Sequence, residues 1–401
     1  MLKTFIRFLK TSPLLVPLLV LIDLAILLVD TVARLTTTAP RQPKSLLIIR
    51  LDVMGDYLLF RNYLHQIKAS SRYGGYRLTL LGNVSIKSLA ETFDADVIDQ
   101  FIWVDIYKLT TQPLYRFRVV RQLRLAGFSA VFCPTYSRVL VLDDYLALAT
   151  EAAERVGCRP DYSNIKPWEA RWGNTFYTRL IDSGNGIVFE MERDHRIVQE
   201  FLQEEIPIPT PVLNTRYAKP VKVPDHYIVF SLGAGQDFRV WPAENFAQVA
   251  AHLSSHYPLH KILLTGAASE LVYAERFLAC LTNPLMVVDL TGKLSIPELI
   301  YVLSKADLLI ANETGIIHIA ASTQTPTLVI SQGKSLVRWH PYPAASRSQI
   351  TYLYPSFIEA NRHRLSEIAQ DFNPESPYFI QEISVARVID GVMPLLPAKS
   401  T

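Results

Sequence analysis

Two carboxylates flank one glycine in Arg50-Leu51-Asp52-Val53-Met54-Gly55-Asp56-Tyr57, where an apolar run gives way to a helical pattern. Gly55 lets the chain turn tightly, which puts Asp56 in the first helical turn. An Asp there ordinarily serves the helix N-terminus as a cap or dipole charge. At a strand end facing a cleft, the same carboxylate is placed to accept a proton from a bound hydroxyl. Asp52, if close to it, would raise the pKa of Asp56 by like-charge repulsion and act as a secondary acid of the same site.

Three later junctions carry groups suited to an anion. In Ser231-Leu232-Gly233-Ala234-Gly235-Gln236-Asp237-Phe238-Arg239-Val240-Trp241-Pro242, Gly233 and Gly235 expose backbone N–H groups and Arg239 offers a planar fork that fits phosphate. The alternative is a plain turn with an exposed Arg. In Thr265-Gly266-Ala267-Ala268-Ser269-Glu270, Glu270 could bind ribose hydroxyls as the acid of dinucleotide folds does. Read alone, it more simply serves the next helix's dipole. In Asn312-Glu313-Thr314-Gly315-Ile316-Ile317-His318, Thr314 and Gly315 open a helix whose N–H groups and dipole bind phosphate, with Glu313 and His318 completing a polar cluster. A histidine hydrogen-bonded in the core is the competing reading of His318.

Other patterns fail. Gln332-Gly333-Lys334-Ser335 resembles the end of a P-loop, but Leu328 stands where its first glycine must be. Asp94-Ala95-Asp96 has the spacing of a metal-binding pair but lies away from any phosphate loop. Cys133, Cys158 and Cys280 are odd in number and far apart, so neither a disulfide framework nor a zinc site is expected, as fits a reducing compartment. No metal site is assigned.

The elements that must hold these junctions alternate. Ser45–Leu51 is a nearly continuous apolar run, the pattern of a strand buried on both faces of a parallel sheet. Strands near Arg77–Leu81, Val97–Val104, Ala130–Cys133 and Arg155–Val156 follow, with helices between. Residues 159–186, rich in Trp and Tyr among polar groups, read as a long irregular and functional segment. The helix opened by Pro113 carries Arg116, Arg118, Arg121 and Arg124, most simply one solvated face. Ile206–Pro224 is proline-rich and reads as a linker. Beyond it the alternation resumes with strands Tyr227–Leu232, Lys261–Thr265, Met286–Asp289, Leu308–Ala311 and Thr327–Ile330. The fold class is therefore α/β, with two doubly wound Rossmann-like domains facing a cleft. The division is a segment 1–44, a first domain 45–210, a linker 211–224, a second domain 225–375 and a C-terminal helix or tail 376–401.

Segment 1–44 differs from the rest. Pro13–Val29 is apolar except for Asp23, Pro17 should kink a helix there, and basic residues flank it on both sides. It is short for a span and suits a shallow membrane anchor; a packed helix is the plainer alternative.

At 401 residues, with 49% hydrophobic and 19% charged residues, the chain has material for two cores and is not disordered. A net charge of +3 is too balanced for a nucleic-acid binder.

Arg50-x-x-x-x-Gly55-Asp56, Gly233-Ala234 through Arg239-x-Trp241-Pro242-x-x-x-Phe246, Leu290-Thr291-Gly292-Lys293 and Asn312-Glu313-Thr314-Gly315-x-x-His318-x-Ala320 occur in that order. Together they resemble glycosyltransferase family 9, the lipopolysaccharide heptosyltransferases and their relatives, over roughly residues 45–335. The resemblance implies a GT-B fold and inverting, metal-independent transfer of a heptose or related sugar. The donor would be a nucleotide-diphosphate sugar, with ADP favoured, and no cofactor is required. The acceptor would be a membrane-associated glycan or lipid-linked molecule, met at the cytoplasmic face of the inner or plasma membrane by a peripheral or monotopic enzyme of cell-envelope polysaccharide synthesis. Asp56 would be the general base. Arg239 would meet the diphosphate where the family often has Lys, Glu270 the ribose, and Thr314, Gly315 and His318 the phosphate–sugar end, with Gly233, Gly235, Lys293 and Glu313 completing the donor site. Glu313 replaces the family's usual Asp and Asp52 its common Ser, which leaves the donor sugar open. A sugar-nucleotide epimerase and a non-catalytic sugar-nucleotide-binding membrane scaffold are the alternatives.

Overall fold

In the computed structural model, which describes residues 16–281, 286–346, 348–372 and 376–396, the apolar runs become strands at the centres of two sheets. The first contains β1 (Ser45–Arg50), β2 (Arg77–Asn83), β3 (Gln100–Val104), β4 (Ala130–Cys133), β5 (Glu154–Cys158) and β6 (Arg179–Ile181). The second contains β7 (Tyr227–Ser231), β8 (Lys261–Thr265), β9 (Val287–Asp289), β10 (Leu308–Asn312), β11 (Thr327–Ile330) and β12 (Ile350–Leu353). β1, β7 and β10 are buried at every position, as strands covered on both faces must be.

The sheet orders are β3-β2-β1-β4-β5-β6 and β12-β11-β10-β7-β8-β9. All the pairings within them are parallel. Counted from its own first strand, each sheet has the doubly wound order 3-2-1-4-5-6, which reverses between β1 and β4 and between β7 and β10. Ligands bind beyond the carboxyl ends of strands at such reversals. The junctions after β1, β7 and β10 are the ones that carry Asp56, Arg239 and Thr314.

Three expectations need correction. Residues 159–186 are not one long loop: Pro167–Asn174 is a helix, with Pro167 in its first turn and the Glu169 carboxylate accepting from Lys166 N at 2.6 Å, and β6 follows. Trp172, Phe176 and Tyr177 turn inward, the first two edge-on or tilted against Tyr145, while Tyr162 and Trp168 stay exposed. The arginines of the Pro113–Ala126 helix do not share one solvated face. Arg116 is buried in a two-pronged pair with Asp30 at 2.6 and 2.7 Å, and Arg124 pairs with Glu151 at 3.0 Å; Arg118 and Arg121 are exposed. β12 had no counterpart in the sequence pattern.

The Val16–Leu35 helix packs against the Pro113–Ala126 and Tyr145–Ala149 helices. Ala33 is fully buried, with Ile26 and Leu27 beside it in the first domain's core. The opposite face leaves Leu21, Leu24, Leu28, Val32 and Leu35 exposed. Among the described residues no helix is long and apolar enough to cross a membrane. At the far end of the chain the Val385–Val392 helix buries Val388 and Val392 against the second sheet's core.

Candidate active site

β1 ends at Arg50, and the chain bends through Asp52 into the Met54–Phe60 helix, with Asp56 in its first turn. Arg50 is almost wholly buried, lies 4.5 Å over the Phe60 ring, pairs with Asp52 at 3.1 Å and donates to the Asp56 carbonyl at 3.1 Å. It thereby fixes the path of the turn. Burial first, then the like charge of Asp52, push the Asp56 carboxyl up to about 7; Glu190 adds to this, and Arg50 and Arg338 oppose it. Asp56 is thus poised near neutral pH, where a general base works best.

The two halves meet at this turn. A Cβ on Gly55 would stand 2.9 Å from His318 Cδ2, and one on Gly315 would stand 3.2 Å from Met54 Cε. Only glycines allow so close an approach, which sets the start of the Ile316–Thr323 helix against the start of the Asp56 helix. His318 is buried, its Nδ1 is 2.8 Å from the Tyr342 hydroxyl, and its other edge faces Gly55. Burial pushes its imidazole down to about 4, so it is neutral at pH 7. It is both a hydrogen-bonded core histidine and a wall of the cleft.

Because β7 and β10 are neighbours, their loops converge. Arg239 donates to the Glu313 carbonyl at 2.8 Å and to its carboxylate at 2.7 Å. Glu313 also meets His340 Nε2 at 2.9 Å and accepts from Ser331 at 3.0 Å. Although burial raises the Glu313 carboxyl, His340 and Arg239 together with these hydrogen bonds hold it below the usual carboxylate range. An ionised Glu313 therefore clamps the Arg239 guanidinium beside the helix start that carries half-buried Thr314 and Gly315. Lys334 Nζ donates to the Gln236 side chain at 2.9 Å and lies 5.3 Å over the Phe238 ring, bringing a second cation to the same loop.

Glu270 caps its own turn, accepting from Ala267 N at 2.7 Å, as the plainer reading expects. Its carboxylate nevertheless lies against both glycine loops: a Cβ on Gly233 would fall 2.0 Å from one oxygen and one on Gly266 2.7 Å from the other. Gly235 has open space around it. The turn of Leu290–Lys293 is tied to the same place by Gly292 N donating to the Gly266 carbonyl at 2.8 Å, with exposed Lys293 donating to the Asp289 carbonyl at 2.7 Å. Asp94 is taken up by Arg61 at 2.6 Å and by the Tyr57 hydroxyl at 2.7 Å, which anchors the Asp56 helix from below.

Several participants were not picked out from the sequence. Arg338 bridges the halves, donating to Asp161 and Glu190 at 2.9 Å each. Together with Tyr136, Arg193 and Trp339 it lines an inter-domain cavity of about 330 Å³. Asp56 is not in that wall, but the charges of Glu190 and Arg338 reach it. Arg338, His340 and Tyr342 all lie in the loop after β11, which was judged only as a broken P-loop. Treating it as one more strand-end junction would have exposed them. Glu190 gives no local signal.

Residues 197–361 match the family model described as glycosyltransferase family 9 (heptosyltransferase). The chain is 27% identical over 182 residues to lipopolysaccharide heptosyltransferase 3 of Escherichia coli, an alignment covering 45% of this chain and 49% of that protein. It thus spans about half the length of that curated relative. A family 9 glycosyltransferase from Veillonella parvula DSM 2008 superposes with a TM-score of 0.67 at 18% identity, covering 90% of this chain and 99% of that one. An E. coli heptosyltransferase solved with ADP-2-deoxy-2-fluoro heptose gives a TM-score of 0.63 at 15% identity, covering 87% and 99%. These two likenesses establish the fold.

Proposed function

We propose that this chain, heptosyltransferase-like in sequence match and in fold, is a glycosyltransferase of family 9 and transfers a heptose or related sugar, with inversion, from a nucleotide-diphosphate donor to a membrane-associated glycan or lipid-linked acceptor. The observation that carries this reading is the close approach of the two halves at Gly55, against His318, and at Gly315, against Met54. It brings a carboxylate poised at about 7 within reach of the same space as a helix start flanked by a clamped arginine. Displacement at an anomeric carbon needs those two things on opposite sides: a base for the incoming hydroxyl and positive charge for the departing diphosphate.

Asp56 takes the acceptor proton. Arg239, held by Glu313, and Lys334 meet the diphosphate with the N–H groups of Thr314 and Gly315. Glu270 lies at the two glycine loops where the ribose would rest. These charges supply at the leaving group what a divalent cation supplies in other transferases, so transfer should proceed in chelator. The neighbour solved with an ADP-heptose analogue supports ADP as the nucleotide.

The Val16–Leu35 helix supports a membrane-associated acceptor. Its exposed leucine and valine stripe, with Arg118 and Arg121 exposed on the helix beside it, suits the headgroup–acyl boundary of an anionic leaflet, which supports a peripheral enzyme at the cytoplasmic face.

The test is a donor screen in EDTA that follows nucleoside-diphosphate release with and without glycolipid acceptor, and the anomeric configuration of the product by NMR. Acceptor-dependent release from ADP-heptose with inverted configuration is expected. Acceptor-independent conversion of the donor to its epimer, or binding with no turnover on any envelope glycan, would overturn the reading.

A further inference from the structure

The opposite edge of the second sheet carries a cluster that has no part in the transfer reaction. His226, His260 and Asp307 each stand immediately before a strand, β7, β8 and β10 respectively, and these three strands are neighbours in the order β10-β7-β8. In parallel register Tyr227 pairs with Lys261 and Ile228 with Leu308, so His226 and His260 stand opposite each other at the sheet's amino edge and Asp307 lies one position further in, beside Tyr227. Five-residue strands put about 16 Å between this edge and the loops of the transfer site.

The backbone there is fixed before any side chain is considered. Lys261 N donates to the His226 carbonyl at 3.0 Å, Asp307 N to the Tyr227 carbonyl at 3.1 Å, and His260 N to the Tyr257 carbonyl at 3.0 Å. Tyr227 N lies 3.3 Å from Asp307 Oδ2, which holds that carboxylate at the sheet edge. On this frame Asp307 Oδ2 is 3.5 Å from His226 Nδ1 and 3.4 Å from His260 Nε2. One potential ligand atom from each residue lies within 4.8 Å of the other two.

Those separations suit shared coordination of one ion. Two ligands sharing a tetrahedral zinc at about 2.0–2.1 Å each stand about 3.3–3.4 Å apart. Both imidazole–carboxylate distances lie close to that figure. Two imidazoles and one carboxylate are also the ligand types that borderline divalent ions take. All three residues are partly exposed, which leaves an entry path and room for water as the fourth ligand.

We propose that His226, His260 and Asp307 bind one zinc-type divalent cation at the amino edge of the second sheet, remote from the transfer site, where it joins the starts of three strands. Because such a metal binds the folded arrangement and not the separated ligands of an unfolded chain, it stabilises that domain. The inference rests on this cluster alone and not on the transferase reading.

The experiment uses the untagged full-length chain, freed of metal by chelator and dialysis, and titrated with Zn²⁺ and separately with Mg²⁺ by calorimetry. One Zn²⁺ per chain is expected, with a raised thermal midpoint, no response to Mg²⁺, and the visible absorption of a tetrahedral site when Co²⁺ replaces zinc. His260→Ala and Asp307→Asn should each weaken Zn²⁺ binding at least about tenfold. His226→Gln, which keeps the side chain's bulk, serves if either fails to fold. The competing histidine pair on the Ala243–His256 helix, His252 and His256 with rings 4.0 Å apart, is the control. His252→Ala/His256→Ala should leave the binding intact. Zinc binding that survives His226→Gln and His260→Ala, that disappears in the His252/His256 variant, or that is absent in the native chain overturns the proposal.

Discussion

Asp56 owes its poise to its neighbours: burial is the largest cause, and the adjacent Asp52 charge is the next. If it deprotonates the acceptor, Asp56→Asn should lower kcat by about 10²–10⁴-fold with little change in donor KM, because the lost interaction belongs to the transition state. The fold should survive. The folded value of about 7 lies above the ordinary 3.8, so between those values the folded protein keeps a proton that the unfolded chain has released. Stability therefore falls as pH rises through that window, and at pH 8 the Asn variant should melt no lower than the native chain in calorimetry. An Asn variant with near-native kcat would move the base to Asp52. The same charges predict the pH profile. kcat/KM should rise through about pH 7 as Asp56 ionises, and Asp52→Asn, which removes a like charge, should shift that limb to lower pH; a limb that stays in place would show that the two carboxylates do not communicate. Much of this site was legible because strand-end junctions can be recognised one at a time. The Arg239–Glu313 clamp was not, since it depends on β7 lying beside β10, and neither was the shared role of Glu270 as cap and loop neighbour.

At the scale of the element, the strands were the most legible because a strand buried on both faces must be a short apolar run. Where burial was one-sided or specific, the pattern misled. The 159–186 segment mixes polar residues with aromatics that go inward, and its helix is only short. The N-terminal helix was legible as apolar, with packing on the fold as the alternative to an anchor, but its attachment was not, because that is a buried ion pair between residues far apart in sequence. Asp30 and Arg116 side chains are 2% and 1% exposed. Removing one partner of such a pair leaves a buried charge and typically costs about 3–5 kcal/mol. A chain lacking residues 1–40 should accordingly show a lower midpoint of chemical unfolding than the full chain, even though every strand is retained. Arg116→Met in the shortened chain should recover part of the loss, since an apolar side chain needs no counterion. A truncated protein as stable as the full one would show that the helix is only an appendage.

At the scale of the molecule, two sheets of identical strand order present their reversal points to each other, and a pair of glycines lets them touch. A Cβ at Gly55 would strike the His318 ring, which Tyr342 holds in place, so Gly55→Ala should wedge the halves apart. A misplacement near 1 Å can cost about 10²-fold in rate, and kcat should fall by at least tenfold while each half stays folded by circular dichroism. The two-sheet layout was legible from the repeated alternation; the closeness of the halves was not, because glycines report it only once their neighbours are known. The exposed stripe of the first helix belongs to this scale too. Asp23 lines a cavity with Val139 and Lys166, and Asp30 pairs with Arg116, so both acids of the helix turn toward the protein. That leaves Leu21, Leu24, Leu28, Val32 and Leu35 on an outer face without acidic groups. Partial insertion of that face should hold the enzyme on anionic vesicles, with Arg118 and Arg121 adding a salt-sensitive share. The full chain should co-sediment with phosphatidylglycerol vesicles and less with phosphatidylcholine, and Leu24→Asp/Leu28→Asp should abolish sedimentation while donor affinity is unchanged. A double variant that still sediments would mean that another surface, and not this helix, meets the membrane.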